Sequence, residues 1–175
     1  AVQAYLRTVD PHAVTGVPPV TAGAPRRERL PGGIEWVRLP AVDARADAIV
    51  GAAIDALGQT NGIGLVLDVR GAAGNDFDGV QSIAARLVGA PQALFALVDD
   101  AGGVLAQYSV APAAPVPDVP VVVLTDGGTR GSAEALAGTL CGQGSAMQLG
   151  RTTAGDCVRR ETFVWGHSNR VTMAV

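Results

Sequence analysis

The sequence predicts one α/β domain built from stacked β-β-α units, and three observations carry that expectation. Residues 63–69 and 121–124 are short, almost wholly apolar runs, as strands buried on both faces of a parallel sheet require. Between and after them, apolar residues recur at helical spacing, so strands alternate with helices. With 175 residues, 48% of them hydrophobic and only 17% charged, the chain has enough apolar material to close a core.

The elements follow in order. Val2, Tyr5, Leu6 and Val9 have helical spacing, and Asp10-Pro11 breaks it. Residues 16–33 are rich in Gly, Pro and Arg without periodicity, which predicts a long surface connection. The division expected is therefore an N-terminal helix and connecting loop over 1–33 and a core over 34–175. Ile34, Trp36 and Leu39 open that core as a strand. Ala46, Ile49, Val50, Ala53, Ile54 and Leu57 then form one face of a helix, with Asp43 as its N-cap and Gly58 at its end. After the strand at 63–69, the loop 71–75 lies at a carboxyl strand end, where α/β folds commonly place their sites. A second helix is expected over 79–88. Strands over 93–98 and 104–110 are joined by a hairpin signal, Asp99-Asp100-Ala101-Gly102-Gly103. Pro112, Pro115, Pro117 and Pro120 make a stiff connector before the strand at 121–124. A helix over 132–141, a strand over 146–149 and a hairpin pairing 158–165 with 170–174 complete the reading, and no internal repeat is evident.

Composition excludes several function classes. A net charge of −3 with scattered arginines offers no basic stripe for phosphates, so nucleic acid is not an expected partner. The longest apolar runs fall far short of the roughly 20 residues that span a bilayer, and no basic-then-apolar leader pattern opens the chain. Cys141 and Cys157 form no metal spacing and no disulfide framework; they read as buried or free thiols, with a single bridge left open. Neither a metal nor a cofactor is called for. All 13 basic residues are arginine, so the chain holds no lysine to act as a base.

Three segments in order carry a family likeness: Gly64-Leu65-Val66-Leu67-Asp68-Val69-Arg70; Val121-Val122-Val123-Leu124-Thr125 with Thr129-Arg130-Gly131-Ser132-Ala133-Glu134; and Gly150-Arg151-Thr152-Thr153-Ala154-Gly155. Together they resemble the core of tail-specific (C-terminal processing) serine proteases. The variant in modules of interphotoreceptor retinoid-binding protein is similar in the Val-Leu-Thr strand and the Thr-Xaa-Gly-Xaa-Ala-Glu helix start. Asp10-Pro11-His12 resembles the short motif that precedes the inserted PDZ domain of many relatives. The resemblance implies a crotonase/ClpP-like ββα superhelix. The stretch between Pro19 and Gly33 is too short for a PDZ domain, so a core without that module is expected. The chain also ends soon after Trp165, where relatives continue into a closing segment, and it reads as truncated. A secreted or periplasmic setting is what the resemblance implies; the residues leave the compartment open.

In that family a serine at the helix start after the Val-Leu-Thr strand attacks the peptide carbonyl, and a lysine after the next strand takes its proton. An ungapped match places Gly131 in the serine slot and Asp156 in the lysine slot. A hydrogen atom is no nucleophile and a solvated carboxylate is a poor base for a hydroxyl, so usual Ser-Lys proteolysis is not expected. The family's oxyanion hole, carried over residue by residue, falls on the Ser132 and Gly74 N–H groups beside a helix N-terminus. The plain reading of Gly74 is a chain turn, and of Ser132 an N-cap or first-turn serine.

Three functions follow. The leading one is a domain that no longer cleaves peptides and uses the retained cleft of Gly74, Gly131 and Ser132 for a small-molecule, acyl or peptide ligand. The second is an active serine hydrolase using Ser132 with His12, as in tricorn-like Ser-His-Glu relatives. Consecutive helix-start residues point about 100° apart, so this needs local rearrangement. The third is a crotonase-like lyase or isomerase with His12, Glu134 or Asp156 as acid and base. His12 reads equally as a cleft base or as a loop histidine bonded to backbone, whereas His167 sits at a hairpin tip. Asp156 reads as a solvated loop carboxylate unless desolvation makes it a base, and Cys157 as a minor candidate nucleophile. Asp68 is expected to order its strand end, and Trp36 and Trp165 to pack. Oligomeric state is not legible.

Overall fold

A computed structural model describes residues 14–15, 23–111, 118–165 and 169–174. The expected helix at 1–9, His12, most of the proline connector and His167 lie outside them. The chain divides into two compact units, one spanning Ala22–Cys157 and a second whose described strands are β1 (Val14–Thr15), β9 (Arg160–Trp165) and β10 (Asn169–Ala174). In the second unit, β10 lies between β1 and β9 and pairs antiparallel with each, Val171 opposite Phe163.

The larger unit is built on a five-stranded mixed sheet in the order β2-β3-β4-β7-β8. Its members are β2 (Arg26–Leu30), β3 (Ile34–Arg38), β4 (Gly64–Asp68), β7 (Val121–Thr125) and β8 (Met147–Gly150). The last four are parallel, and β2 closes one edge antiparallel to β3. Register aligns Glu35, Leu65 and Val121, then Val37, Leu67 and Val123, in rows on one face, and all six are buried. Helices α1 (Ala44–Thr60), α2 (Phe77–Ala85) and α3 (Ser132–Gly142) supply the other half of this core through Val50, Ala53, Leu57, Val80, Ile83, Leu136 and Leu140.

Local chemistry sets the ends of these elements. Asp43 caps α1 by accepting from the Arg45 and Ala46 N–H groups. Gly58, the expected terminator, lies inside that helix; Asn61 ends it instead in the left-handed region, φ 48°. An asparagine tolerates that region better than most residues. Helix α2 starts two residues earlier than its apolar spacing predicts, because Asp76 accepts from Gly79 N–H at 2.8 Å and draws Phe77 into the first turn. Between α2 and β7, β5 (Gln92–Val98) and β6 (Val104–Val110) pair as the expected hairpin. Asp99 Oδ1 accepts from the Ala101 and Gly103 N–H groups and fixes its turn.

A further expectation is overturned. Residues 26–30, read as part of a connection, form β2, in register with β3 from Arg26 opposite Arg38 to Leu30 opposite Ile34. The strand lacks apolar alternation because it is an edge. Its arginines face solvent on their outer side and reach a buried carboxylate: Arg27 and Arg29 bridge Glu35, itself only 1% exposed, at 3.3 and 3.1 Å. Charged side chains on an edge strand also oppose pairing with other chains. Among the described residues no PDZ domain is present, and no helix is long and apolar enough to cross a membrane.

Candidate functional site

Three loops leave the carboxyl ends of β4, β7 and β8, and hydrogen bonds knit them into one cluster. The loop after β4 starts from Asp68, a buried carboxylate gripped by Arg70 through Nε at 2.9 Å and Nη2 at 2.6 Å. Burial pushes the Asp68 carboxyl up, but the Arg70 side-chain and backbone hydrogen bonds and the charges of Arg38 and Arg70 outweigh it, so the group sits below its ordinary range. Asp68 orders the strand end, as its residue type suggested. Gly71, at φ 62°, then turns the chain toward Gly74.

The loop after β7 is an Asp-Gly-Gly-Thr turn. Asp126 Oδ1 accepts from Gly128 N–H at 2.9 Å and, across the gap, from Gly71 N–H at 2.7 Å. These bonds, that to Gly71 the strongest, hold the carboxyl below its ordinary value. Thr129, fully buried, donates to the Val69 carbonyl at 2.8 Å, and Arg130 N–H donates to the Ala72 carbonyl at 3.0 Å. The β4 and β7 loops are thus stitched at three points.

The third loop is tied to α3 by Glu134. Its carboxylate accepts from Thr153 Oγ1 at 2.5 Å and from the Gly155 and Asp156 N–H groups at 2.8 Å each. The Ala154 N–H donates to the Thr129 carbonyl at 3.0 Å, and Gly131 N–H donates to the Asp156 carbonyl at 2.8 Å. The two residues read as occupying the nucleophile and base slots are therefore neighbours, 25 positions apart in sequence and joined by one hydrogen bond. Glu134 serves as a clamp on this loop. Asp126, Thr129 and Glu134 were not singled out for this role by sequence reading; the Asp-Gly-Gly-Thr pattern was the available signal for the first two.

At the centre stands Gly131, the N-cap of α3, with φ 59° and ψ −134°. This is a sharp strand-to-helix turn in a region that a side chain makes strained. A Cβ here would overlap the Gly74 carbonyl oxygen and lie 3.2 Å from the Gly74 carbonyl carbon. Ser132 is not the N-cap but the first helical residue, and it is wholly buried. Its N–H donates to the Gly74 carbonyl at 3.1 Å, while its Oγ has no hydrogen-bond partner among the described residues. The oxyanion hole read from sequence had the Ser132 and Gly74 N–H groups as its donors; in this structure the Ser132 N–H donates to the Gly74 carbonyl. The reason is steric, since glycine at 131 leaves room for that carbonyl to drop onto the helix end.

The remaining candidates separate. Glu134 and Asp156 join the cluster through the bonds above; His12 lies outside the described residues. Cys157 is exposed, and desolvation, then the Glu134 and Asp156 carboxylates, push its thiol pKa up, against a reactive thiolate. Cys141 is likewise raised by desolvation. Among the described residues no group of three His, Cys, Asp or Glu side chains is placed to hold a metal.

Known proteins place this architecture. The chain is similar in structure to a photosystem II D1 C-terminal processing protease, at 25% identity and a TM-score of 0.72 over 89% of this chain and 43% of that one. A lipoprotein from Streptococcus agalactiae superposes with a TM-score of 0.76 at 20% identity, over 99% of this chain and 67% of the lipoprotein. The tricorn protease shares the fold at 15% identity and a TM-score of 0.55, over 81% of this chain and 13% of that one. The chain spans under half the length of the processing protease it matches. No curated protein matches the sequence. The family model described as peptidase family S41 matches residues 33–174, which cover most of the chain, and with the mixed α/β fold in agreement the chain belongs to peptidase family S41.

Proposed function

We propose that this S41 domain does not cleave peptides through a Ser-Lys pair and that the loop cluster around Gly74, Gly131 and Ser132 binds a ligand bearing a carboxylate or carbonyl group, an acyl chain or a peptide terminus. One observation supports the reading: Gly131, which the motif match puts in the family's serine slot, forms the turn into α3 at φ 59°, is bonded to Asp156 and has no side chain. Chemistry supports it further, because the chain has no lysine to accept a proton. A missing nucleophile and a missing base each cost several orders of magnitude in rate. What remains is a helix N-terminus, whose dipole favours negative charge.

The hydrolase reading would need Ser132 to attack. Its hydroxyl is buried and occupies the first helical position, one residue beyond the turn. The test is labelling with a fluorophosphonate probe, alongside cleavage of a peptide carrying a free C-terminus. The expected result is neither labelling nor cleavage, with saturable binding of a carboxylate-terminated ligand. Labelling that disappears in Ser132→Ala would overturn the proposal.

A further inference from the structure

The first residue of α3 carries two hydrogen-bond donors, and the fold satisfies only one. Ser132 N–H donates to the Gly74 carbonyl at 3.1 Å, while the Ser132 hydroxyl, fully buried on the same residue, has no partner among the described residues. Buried polar groups are almost always paired, so this vacancy is unusual. The carbonyl reaches the helix end only because two glycines face each other. A Cβ on Gly131 would overlap the Gly74 oxygen, and a Cβ on Gly74 would overlap Ser132 Oγ. A carbonyl oxygen at a helix N-terminus also brings only a partial negative charge to a place that favours a full one.

We infer that the Gly74 carbonyl is an internal plug on the α3 N-terminus, displaced when a carboxylate binds there. One carboxylate oxygen takes the Ser132 N–H that Gly74 releases, and the other accepts from the Ser132 hydroxyl that the plug leaves unpaired. The bonds from Gly71 N–H to Asp126 and from Arg130 N–H to the Ala72 carbonyl hold the start of the loop, so the displacement is confined to the Ala73-Gly74 peptide and its neighbours. The plug sets the affinity: if only a fraction of molecules has the loop displaced, the apparent dissociation constant rises by the inverse of that fraction. This inference rests on the binding reading above and adds the ligand's charge class and its control.

The test uses the full chain, 15N-labelled, with benzoate as the probe and the Ser132 amide as the reporter. Gly74→Ala places a methyl group against Ser132 Oγ and disfavours the plug. It is expected to speed Ser132 amide exchange and to tighten benzoate binding by about tenfold each. Gly74→Ala with Ser132→Ala makes room for that methyl group, so the amide regains protection and the gain in affinity disappears. Ser132→Ala alone removes one of the two donors and weakens benzoate binding about tenfold while the amide stays protected. The inference is overturned if Gly74→Ala frees the amide yet binds benzoate no more tightly than the parent. It is equally overturned if benzoate binds without shifting the Ser132 amide resonance. Should Gly74→Ala fail to fold, unchanged benzoate affinity in Ser132→Ala overturns it alone. Failure of the non-proteolytic reading shows separately, as peptide cleavage or fluorophosphonate labelling by the parent.

Discussion

Putting a side chain at residue 131 is the sharpest perturbation available. Gly131 sits at φ 59° and ψ −134°, where a non-glycine residue costs about 1–3 kcal/mol. Its new Cβ would also overlap the Gly74 oxygen, so the loop must retreat and release the Ser132 N–H bond, worth about 1 kcal/mol. Together Gly131→Ser should destabilise the domain by about 2–4 kcal/mol, lowering Tm by roughly 5–15 °C for a chain of this size. Gly131→Ala should cost nearly the same, because the Cβ and not the hydroxyl causes the conflict. Thermal and urea unfolding of both variants beside the parent measure this. If Gly131→Ala unfolds within about 1 °C of the parent, the steric account of why glycine stands here is wrong. Gly131→Ser should also gain no peptidase activity by itself, since a hydroxyl beside Asp156 still lacks the family's amine.

Three more outcomes follow from the site. Glu134→Gln keeps the shape but replaces a carboxylate that accepts from Thr153, Gly155 and Asp156, so at least one donor faces an amide NH2; a loss of about 1.5–3 kcal/mol is expected in urea unfolding. Asp68 and Asp126 both have folded-state pKa values below their ordinary 3.8, so the unfolded chain binds protons more readily, and their stabilisation is complete above about pH 4 and is lost as pH falls through the folded values. Asp126→Asn retains the Oδ1 acceptor for Gly71 and Gly128 and should flatten acid unfolding monitored by circular dichroism below pH 4. Cys157 is exposed but its thiol is raised above 9.0, so alkylation by iodoacetamide at neutral pH should be slower than for a free cysteine; fast alkylation would revive it as a nucleophile.

Much of the architecture was legible because burial writes itself into sequence. The strands at Gly64–Asp68 and Val121–Thr125 are nearly pure apolar runs, and α1 shows its buried face as Ala46, Val50, Ala53 and Leu57. Gly131 and Asp156 could be singled out as well, since their types and their spacing of 25 positions are read directly from the sequence. Strand β2 was not, because an edge strand of arginines buries no side of its own and is defined by pairing with β3 and by Glu35 beneath it. The clamp made by Glu134 was hidden for a related reason: its three donors come from residues 19 to 22 positions away, and a surface glutamate has the same letter as a structural one.

The amino-acid order alone determined which chemical groups this S41 domain can bring to bear, because the absence of lysine and the glycine at 131 are facts of composition and position. Only the folded chain decided what became of the space. Which way the Gly74 peptide points depends on the distant turn held by Asp126 and Thr129 and on the end of α3, and a peptide plane can rotate without any change of residue type. For that reason the carbonyl seated on the Ser132 amide, and the hydroxyl beside it that has no partner among the described residues, have no signature in the sequence.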